Sequence, residues 1–389
     1  MSRRVMVLFG TRPECIKLAP VVRALRARPD DFHVTVCSTG QHREMLHMTL
    51  QSLGLTVDED LDVMRPDQTL PQLTGAILSG CAELIRRHSP DWMLVQGDTT
   101  TAFVGALAAF YGRVRIGHVE AGLRTGRKDN PFPEEINRRL ITPMADLHFA
   151  PTPRAAAALL AEGVSPQSVH VTGNTGIDAL LALCARWQSG EQSIDPSGNY
   201  AADHAGSPEG VEPAVAALAG ASPLVLITCH RRENFGPELE AICKALRHLA
   251  ETWPAAQFVF PVHLNPSVRR AVMPLLGGIA NLHLLEPVAY DTMVFLMRRA
   301  TLILTDSGGI QEEAPTFGVP VLVMRATTER QESVEAGFAR LVGSNADMIV
   351  AEASRILSAG GCPELSGRPN PYGDGHAAER IAAILAETP

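Results

Sequence analysis

Short apolar runs alternate along this chain with longer stretches of helical periodicity. The run Val5–Phe9 ends at a Gly-Thr-Arg-Pro turn, and apolar residues then recur at the spacing of one helix face. Further buried strands are predicted at Phe32–Cys37, Trp92–Gln96, Val114–His118, Leu147–Ala150, Val169–Val171, Leu224–Thr228, Phe258–Val262, Leu282–Leu285, Leu302–Thr305 and Val319–Met324. Because strands that alternate with helices form parallel sheets, the pattern predicts a doubly wound α/β fold.

The alternation is interrupted once, at about Leu183–Ser222, where Gly, Ser, Pro, Asp and Ala dominate. We interpret this stretch as a connector between domains. The pattern then restarts, which predicts two Rossmann-like domains facing each other across a cleft, with bounds at 1–173 and 174–375. The C-terminal helix of residues 376–389 could pack on either domain, and the pattern leaves this open.

Composition narrows the class of protein. Of 389 residues, 46% are hydrophobic and 20% are charged, as in globular proteins. A formal net charge of −8 argues against a general nucleic-acid binder. The first apolar run is too short for a signal peptide, and no segment has membrane-spanning length, so we expect a cytoplasmic protein. No His or Cys spacing predicts a metal site.

The segment Thr305–Glu313, with the sequence TDSGGIQEE, directly follows a predicted strand and predicts a seat for a phosphate group. Glycines at Gly308–Gly309 permit close approach of the backbone, and Ser307 can cap the next helix and donate its hydroxyl. We expect Glu312–Glu313 on the first turn, where a carboxylate can bind ribose hydroxyls. An ordinary capped helix would have the same pattern, and the segment alone does not decide between the two.

Polar side chains follow several other predicted strands. They are Arg12 with Lys17, Asp98, Glu120, and His230. Ligands bind outside the carboxyl ends of strands in open α/β sheets, so these groups are expected to converge. Each also has a structural explanation, such as Asp98 capping the helix that follows it or Glu134–Glu135 as a first-turn acidic pair. Together they favour a site for an anionic ligand with acid–base chemistry.

Eight motifs occur in order along the chain: GTRPECIKLAP (Gly10–Pro20), GDTTT (Gly97–Thr101), HVEAGLRTG (His118–Gly126), PEEINRRL (Pro133–Leu140), GNT (Gly173–Thr175), HRRENFG (His230–Gly236), TDSGGIQEEAP (Thr305–Pro315) and NPYGDG (Asn370–Gly375). Each motif is weak alone. Together they resemble those of the non-hydrolysing UDP-N-acetylglucosamine 2-epimerases. The resemblance implies a fold like that of the GT-B glycosyltransferases and an isomerase that interconverts UDP-GlcNAc and UDP-ManNAc through elimination of UDP to 2-acetamidoglucal.

The residues agree with elimination chemistry. Transient oxidation by NAD is the second route to inversion at C2, but no G-x-G-x-x-G follows any predicted strand. Elimination requires carboxylates that move the C2 proton and cations that stabilise departing UDP, without a cofactor or metal. The resemblance implies that the catalytic residues are Asp98, Glu120, Glu134, His230 and Lys17. It implies that UDP is bound by Arg12, Ser307, Gly308, Gly309 and Glu313.

The resemblance also implies a homodimer that supplies an activated sugar for polysaccharide synthesis. Members of the family often bind a second UDP-GlcNAc as an activator. The matching positions here are Gln41, His42, Gln68 and His263. For His263, a purely structural role in orienting its turn has equal support.

The chain departs from the family pattern in TTERQESVEAGF, where Gln331, Ser333 and Phe338 replace proline, glycine and threonine. Because Gln331–Ser333 follows the end of a predicted strand, we expect it to face the cleft. This leaves open a modified UDP-sugar such as a diacetamido uronic acid. The motifs also leave open a GT-B glycosyltransferase, a hydrolysing epimerase and a sugar-nucleotide-binding regulator without catalysis.

Overall fold

The computed structural model describes residues 2–40, 49–50, 52–65, 67–129, 131–189, 223–231 and 234–388, and the single residues 211, 215, 218 and 220. The chain forms two compact units. The first comprises Met1–Ala182 with Tyr372–Pro389, and the second comprises Leu183–Pro371. The C-terminal helix therefore belongs to the first unit, where it packs on the helix Arg12–Arg26. The boundary lies inside a helix, later than the predicted division after Gly173.

The first unit contains a parallel sheet of seven strands, in the order β3-β2-β1-β4-β5-β6-β7. The strands are β1 (Arg3–Phe9), β2 (Phe32–Ser38), β3 (Glu59–Asp60), β4 (Trp92–Gln96), β5 (Arg115–Val119), β6 (Leu147–Ala150) and β7 (Val169–Val171). The strand order reverses between β1 and β4, which is the topological switch point where α/β folds bind ligands.

The helices of the first unit begin with clear sequence signals. Thr69 and Thr99 are N-cap residues whose hydroxyls accept backbone N–H bonds, and Pro13 lies in the first turn of its helix. The helices are Arg12–Arg26, Leu70–His88, Thr100–Tyr111, Glu134–Ile141, Pro153–Ala161, Thr175–Ser189, which runs on into the second unit, and Ala377–Glu387, with a 3₁₀ helix at Pro166–Ser168.

The second unit repeats the topology with six parallel strands in the order β10-β9-β8-β11-β12-β13. The strands are β8 (Leu224–Thr228), β9 (Gln257–Pro261), β10 (Leu282–Leu285), β11 (Leu302–Thr305), β12 (Val321–Val323) and β13 (Ala339–Leu341). Its switch point therefore lies between β8 and β11. The helices are Pro237–Thr252, Pro266–Leu276, Tyr290–Arg299, Gly308–Glu313, Gln331–Glu335 and Ala346–Ser358, with 3₁₀ helices at Ala314–Phe317 and Pro363–Leu365.

Each unit buries its own apolar core between its sheet and its helices. Fully buried core residues of the first unit include Met6, Leu8, Ile77, Leu84 and Val95. Those of the second unit include Leu246, Phe258, Phe260, Leu304 and Ile356. Burial of side chains of this size is the main favourable contribution to folding of each unit.

The predicted fold class, two parallel doubly wound α/β domains, is confirmed. The sequence did not predict the edge strands β3 and β13, because the first is Glu-Asp and the second is Ala-Arg-Leu, so neither is a continuous apolar run. The connector was predicted to start near Leu183, but the helix Thr175–Ser189 extends into it. The prediction that Glu312 and Glu313 lie on the first turn is also wrong, because the helix starts at Gly308 and places both on its second turn.

Two glycines in the loop after β5 provide a test of this packing. Both Gly122 and Gly126 have positive φ, but a Cβ on Gly122 would lie 2.2 Å from the Ala155 carbonyl oxygen, whereas one on Gly126 would meet nothing within 4 Å. We expect Gly126→Ala to lower the free energy of unfolding by about 1–2 kcal/mol through backbone strain. Gly122→Ala should lower it by about 2–5 kcal/mol, because the steric overlap adds to the strain.

Chemical denaturation of the two variants beside the unchanged chain measures the difference. Equal losses of stability in both variants would contradict the close contact between the loop and the helix Pro153–Ala161.

Candidate functional site

The switch point of the first unit is tightly packed at the ends of β1, β2 and β4. The hydroxyls of Thr39 and Thr101 lie 3.0 Å apart. A Cβ on Gly10 would lie 2.3 Å from each of these hydroxyl oxygens. Only glycine fits between them, so the backbone after β1 lies directly against the loops that follow its two neighbouring strands.

Glu14 lies at the centre of this switch point. Its Oε2 accepts hydrogen bonds from the Gly10 and Thr11 backbone N–H groups at 3.1 and 2.8 Å and from the Thr11 hydroxyl at 2.7 Å. Its Oε1 accepts a bond from the Thr99 hydroxyl at 2.6 Å. Burial raises the pKa of this carboxyl to about 7, against the lowering effect of the four hydrogen bonds. Sequence reasoning missed Glu14, although Thr11-x-x-Glu14 is a capping-box pattern.

The structure brings Lys17 and Glu120 together as an ion pair with little exposure of either side chain. Glu120 directly follows β5 and has a φ of 63°, in the left-handed region that non-glycine residues rarely adopt. A Cβ on Gly97 would lie 3.9 Å from the Glu120 carboxylate, so the carboxylate sits beside the loop after β4. Two residues predicted from separate motifs therefore meet at one edge of the sheet.

Asp98 pairs with Arg138 of the helix Glu134–Ile141, and the Asn137 side-chain amide donates to the Asp98 carbonyl at 2.9 Å. The interpretation that Asp98 caps the next helix is wrong, because the Thr99 hydroxyl accepts the capping bond from Ala102. Neither Arg138 nor Asn137 was predicted, although both lie in the PEEINRRL motif.

Glu134 and Glu135 occupy the first turn of their helix, as predicted, but their environments differ. Glu135 is fully buried, accepts N–H bonds from Thr125 and Gly126, and pairs with Arg138. Glu134 is half-buried. Glu135 therefore fixes the loop after β5. Arg12, another predicted site residue, is half-buried at the start of its own helix.

At the switch point of the second unit, Asp306 binds the loop that follows β8. Its Oδ2 accepts bonds from the His230 and Arg231 backbone N–H groups at 2.9 and 2.8 Å and from the Asn234 amide at 3.0 Å. Its Oδ1 lies 3.2 Å from Nδ1 of His230. Burial by itself would raise the pKa of Asp306, but the hydrogen bonds and charge of His230 lower it to about 2.

Gly308 and Gly309, the first two residues of the helix after β11, have different surroundings. A Cβ on Gly308 would lie 2.7 Å from the guanidinium carbon of Arg330, whose Nε donates to Glu312 at 2.9 Å. Around Gly309 the space is open, with the Ser307 hydroxyl at 3.9 Å as the nearest atom. Ser307 is the N-cap residue, but its side chain makes no capping bond, so that part of the prediction is wrong.

The two glutamates of this helix also differ. Glu312 pairs with Arg330, which in turn pairs with Glu329. Glu313, the predicted ribose ligand, accepts a hydrogen bond from the Tyr290 hydroxyl at 3.1 Å. Glu329 is buried, which raises its pKa, but the charges of Arg330 and Arg325 outweigh this and hold the pKa well below its usual range.

Two of the four predicted activator residues can be placed. Gln68 accepts a bond from the Arg65 N–H at 3.3 Å and donates to the Val63 carbonyl at 3.2 Å. Nδ1 of His263 accepts from the Asn265 N–H at 3.1 Å, and its ring stacks on His230 with centroids 5.8 Å apart. Gln41 and His42 lie outside the described residues.

The residues of the TTERQESVEAGF segment that depart from the family pattern are buried or half-buried. Ser333 is fully buried and donates its hydroxyl to the Gln311 carbonyl at 2.7 Å. Phe338 is buried with the Arg368 guanidinium over its ring. Gln331 is half-buried and donates to the Thr328 carbonyl at 2.6 Å. The expectation that Gln331–Ser333 faces the cleft is therefore wrong for Ser333, whose side chain is not exposed.

Neither a metal cluster nor a membrane span is found in the part of the chain that the structure describes. There, no group of three or more His, Cys, Asp or Glu side chains is arranged to hold a metal ion. No helix in the same residues combines the length and the apolar character needed to cross a bilayer.

Comparison with known proteins gives consistent matches over the chain. The family model described as UDP-N-acetylglucosamine 2-epimerase matches residues 23–386. The UDP-N-acetylglucosamine 2-epimerase of Escherichia coli K12 is 46% identical over 98% of both chains. A UDP-GlcNAc 2-epimerase from Neisseria meningitidis, crystallised with UDP-GlcNAc, is 40% identical with a TM-score of 0.87 over 99% of this chain and 100% of that one. One from Methanocaldococcus jannaschii, in complex with UDP-GlcNAc and UDP, is 31% identical with a TM-score of 0.81 and the same coverage.

The raised pKa of Glu14 predicts a pH dependence of stability. The group's pKa is about 7 in the folded protein and near its ordinary value of 4.5 when unfolded, so its contribution is greatest below pH 4.5 and is lost as pH rises through 7. We expect the free energy of unfolding of the unchanged chain, relative to Glu14→Gln, to fall by about 2 kcal/mol between about pH 5.5 and 8.5.

Chemical denaturation of both proteins at several pH values provides the test, and all other titrating groups cancel in the difference. A difference that does not change with pH would show that Glu14 keeps an ordinary pKa.

Proposed function

Because the chain belongs to the UDP-N-acetylglucosamine 2-epimerase family, we propose that it interconverts UDP-GlcNAc and UDP-ManNAc without a redox cofactor. The proposal depends on two carboxylates that follow the neighbouring strands β4 and β5 at one edge of the sheet. Each is paired with a cation, Glu120 with Lys17 and Asp98 with Arg138. Inversion at C2 requires groups that remove and return a proton that is not acidic, and paired carboxylates suit this chemistry.

In the proposed reaction, a carboxylate takes the C2 proton while the bond between C1 and the UDP oxygen breaks. The electron pair of the C2–H bond forms the C1–C2 double bond of 2-acetamidoglucal, and the pair of the broken C–O bond leaves with UDP. Return of a proton to the other face of C2, with UDP adding at C1, yields the epimer. We assign the proton transfers to Asp98, Glu120 and Glu134, and charge stabilisation to Lys17.

We assign the nucleotide to the second unit. His230, held by Asp306, would neutralise the diphosphate, and the open space at Gly309 favours close approach of a phosphate. Ser307 and Gly308 would complete this contact, and Arg12 would add a further cation. Glu313, fixed by the Tyr290 hydroxyl, would take the ribose.

UDP-GlcNAc remains the proposed substrate despite the departures from the family pattern. Ser333 and Phe338 are buried and contact Gln311 and Arg368 of their own unit, so we infer that these two departures act on packing and not on the sugar. A modified UDP-sugar therefore has less support than UDP-GlcNAc. A glycosyltransferase would require an acceptor, which an epimerase does not.

From family membership we also infer a cytoplasmic homodimer that supplies UDP-ManNAc for polysaccharide synthesis. Activation by a second UDP-GlcNAc through Gln41, His42, Gln68 and His263 is part of the same proposal. The stacking of His263 on His230 supports communication between an activator and the diphosphate-binding residue.

Proton NMR of the purified protein with UDP-GlcNAc in D₂O tests the reaction. We expect UDP-ManNAc to appear with deuterium at C2 and without added NAD. Glu120→Gln should lower kcat by about 10²–10⁴-fold, because the amide cannot accept the proton. Glu83→Gln, which neutralises an exposed carboxylate of the first unit, serves as the matched control and should retain the rate.

Three outcomes would contradict the proposal. Release of free ManNAc and UDP would indicate a hydrolysing enzyme. Turnover that depends on an added acceptor would indicate a glycosyltransferase. Absence of any turnover with UDP-GlcNAc would reject it as the substrate.

The two glycines after β11 allow the nucleotide assignment to be tested. We expect Gly309→Ala to weaken UDP binding about tenfold with little change in thermal stability, because its Cβ has open space in the protein and occupies the phosphate's place. Gly308→Ala should lower both affinity and stability, because its Cβ displaces Arg330.

Isothermal titration with UDP and thermal unfolding measure the two effects. Gly75→Ala, at an exposed helical position with no atom within 4 Å, is the control for the substitution itself. Normal UDP affinity in Gly309→Ala would place the phosphate elsewhere.

A further inference from the structure

The carboxyl group of Glu14 joins the loops that follow β1 and β4 of the first unit. Glu14 lies on the helix after β1, and its Oε2 holds the backbone at Gly10 and Thr11. Its Oε1 accepts the hydroxyl of Thr99, which follows β4. The side chain therefore bridges the switch point, where the two loops diverge to opposite faces of the sheet.

Capping alone does not account for this arrangement. The helix Leu70–His88 has a similar capping box, in which the neutral Gln72 accepts from the Thr69 backbone and hydroxyl at the surface. All of its bonds stay within that one helix start. Glu14 is fully buried, incurs a desolvation cost that Gln72 avoids, and adds a bond to a second loop. The bond to Thr99 is the feature that distinguishes the two boxes.

The bridge lies between the groups assigned to the chemistry. Lys17 follows Glu14 by one helical turn, so both are carried on the same rigid element. Thr99 directly follows Asp98, and its hydroxyl also accepts the N–H of Ala102 at 3.0 Å. Movement of the Thr99 hydroxyl would shift both the start of this helix and the Asp98 carboxylate relative to Lys17.

The ionised form of Glu14, which predominates above its raised pKa of about 7, adds to its suitability. A carboxylate only accepts hydrogen bonds, so the hydroxyls of Thr11 and Thr99 must both donate to it. An amide at the same place would present N–H donors to one of these hydroxyls, and that hydroxyl would have to rotate. The carboxylate thus specifies a single arrangement of the two loops.

We propose that Glu14 is a positioning residue. It sets the distance between two ion pairs, Lys17–Glu120 and Asp98–Arg138. It acts through Thr99 and touches no substrate atom. The proposal rests on the proposed function for its catalytic consequence, but the bridge itself can be tested without turnover.

The test compares Glu14→Gln, Thr99→Val, the double variant and Thr99→Ser with the unchanged chain. Ile77→Val, a truncation in the core, controls for a general loss of stability. NMR rate measurements give kcat and KM for UDP-GlcNAc. Amide hydrogen exchange, followed by mass spectrometry, reports on the segment Gly97–Phe103.

We expect Glu14→Gln and Thr99→Val to lower kcat about 10- to 100-fold, with KM within about threefold, because the reacting groups are displaced. Both should accelerate amide exchange in the segment Gly97–Phe103. The double variant should be no slower than the slower single variant, because both changes break the same bridge. Thr99→Ser should recover most of the rate lost in Thr99→Val, since the hydroxyl returns.

If kcat of Glu14→Gln and Thr99→Val falls no further than kcat of Ile77→Val, then Glu14 only caps its helix, and the proposal is overturned. Additive losses in the double variant, or unchanged exchange in Glu14→Gln, would overturn it as well. If the unchanged chain does not turn over UDP-GlcNAc, the proposed function fails, and the exchange measurement still decides whether the bridge exists.

Discussion

A buried carboxylate at the switch point of each sheet is the constraint on which both candidate sites depend. Glu14 in the first unit accepts backbone N–H bonds from the loop after β1, and Asp306 in the second unit accepts them from the loop after β8. Glu14 also links its loop to the one after β4, and Asp306 links its loop to the one after β11. Backbone N–H groups at strand ends lack a partner in the sheet, and these side chains supply one. The loops that carry the site residues are fixed by this interaction.

The pKa values of the two buried carboxyl groups shift in opposite directions. Burial dominates at Glu14 and raises its pKa, because its partners are hydroxyls and backbone N–H groups. At Asp306 burial is again the largest single effect, but the His230 ring beside the second carboxylate oxygen and the backbone N–H bonds of His230 and Arg231 together outweigh it and lower the pKa. The pKa of Glu14 therefore lies close to neutral pH, whereas Asp306 remains a charged carboxylate that orients His230.

The proposed acid–base groups are also held by partners from distant parts of the chain. Glu120 meets Lys17, and Asp98 meets Arg138. Ion pairing fixes the direction of each carboxylate. The motifs predicted Lys17, Asp98 and Glu120 one by one. They did not predict these pairings, because a pairing depends on which strands are neighbours.

The sequence by itself determined the strands with long apolar runs, the two parallel domains and the ordered motifs that identify the family. These signals are local, since burial of a strand or the start of a helix is written in a few adjacent residues. Strand order, and with it the roles of Glu14, Asp306 and Arg138, was decided only by the tertiary structure. So was the inward position of Ser333. Contacts between residues far apart in the chain have no local pattern, because they arise only when the sheets assemble.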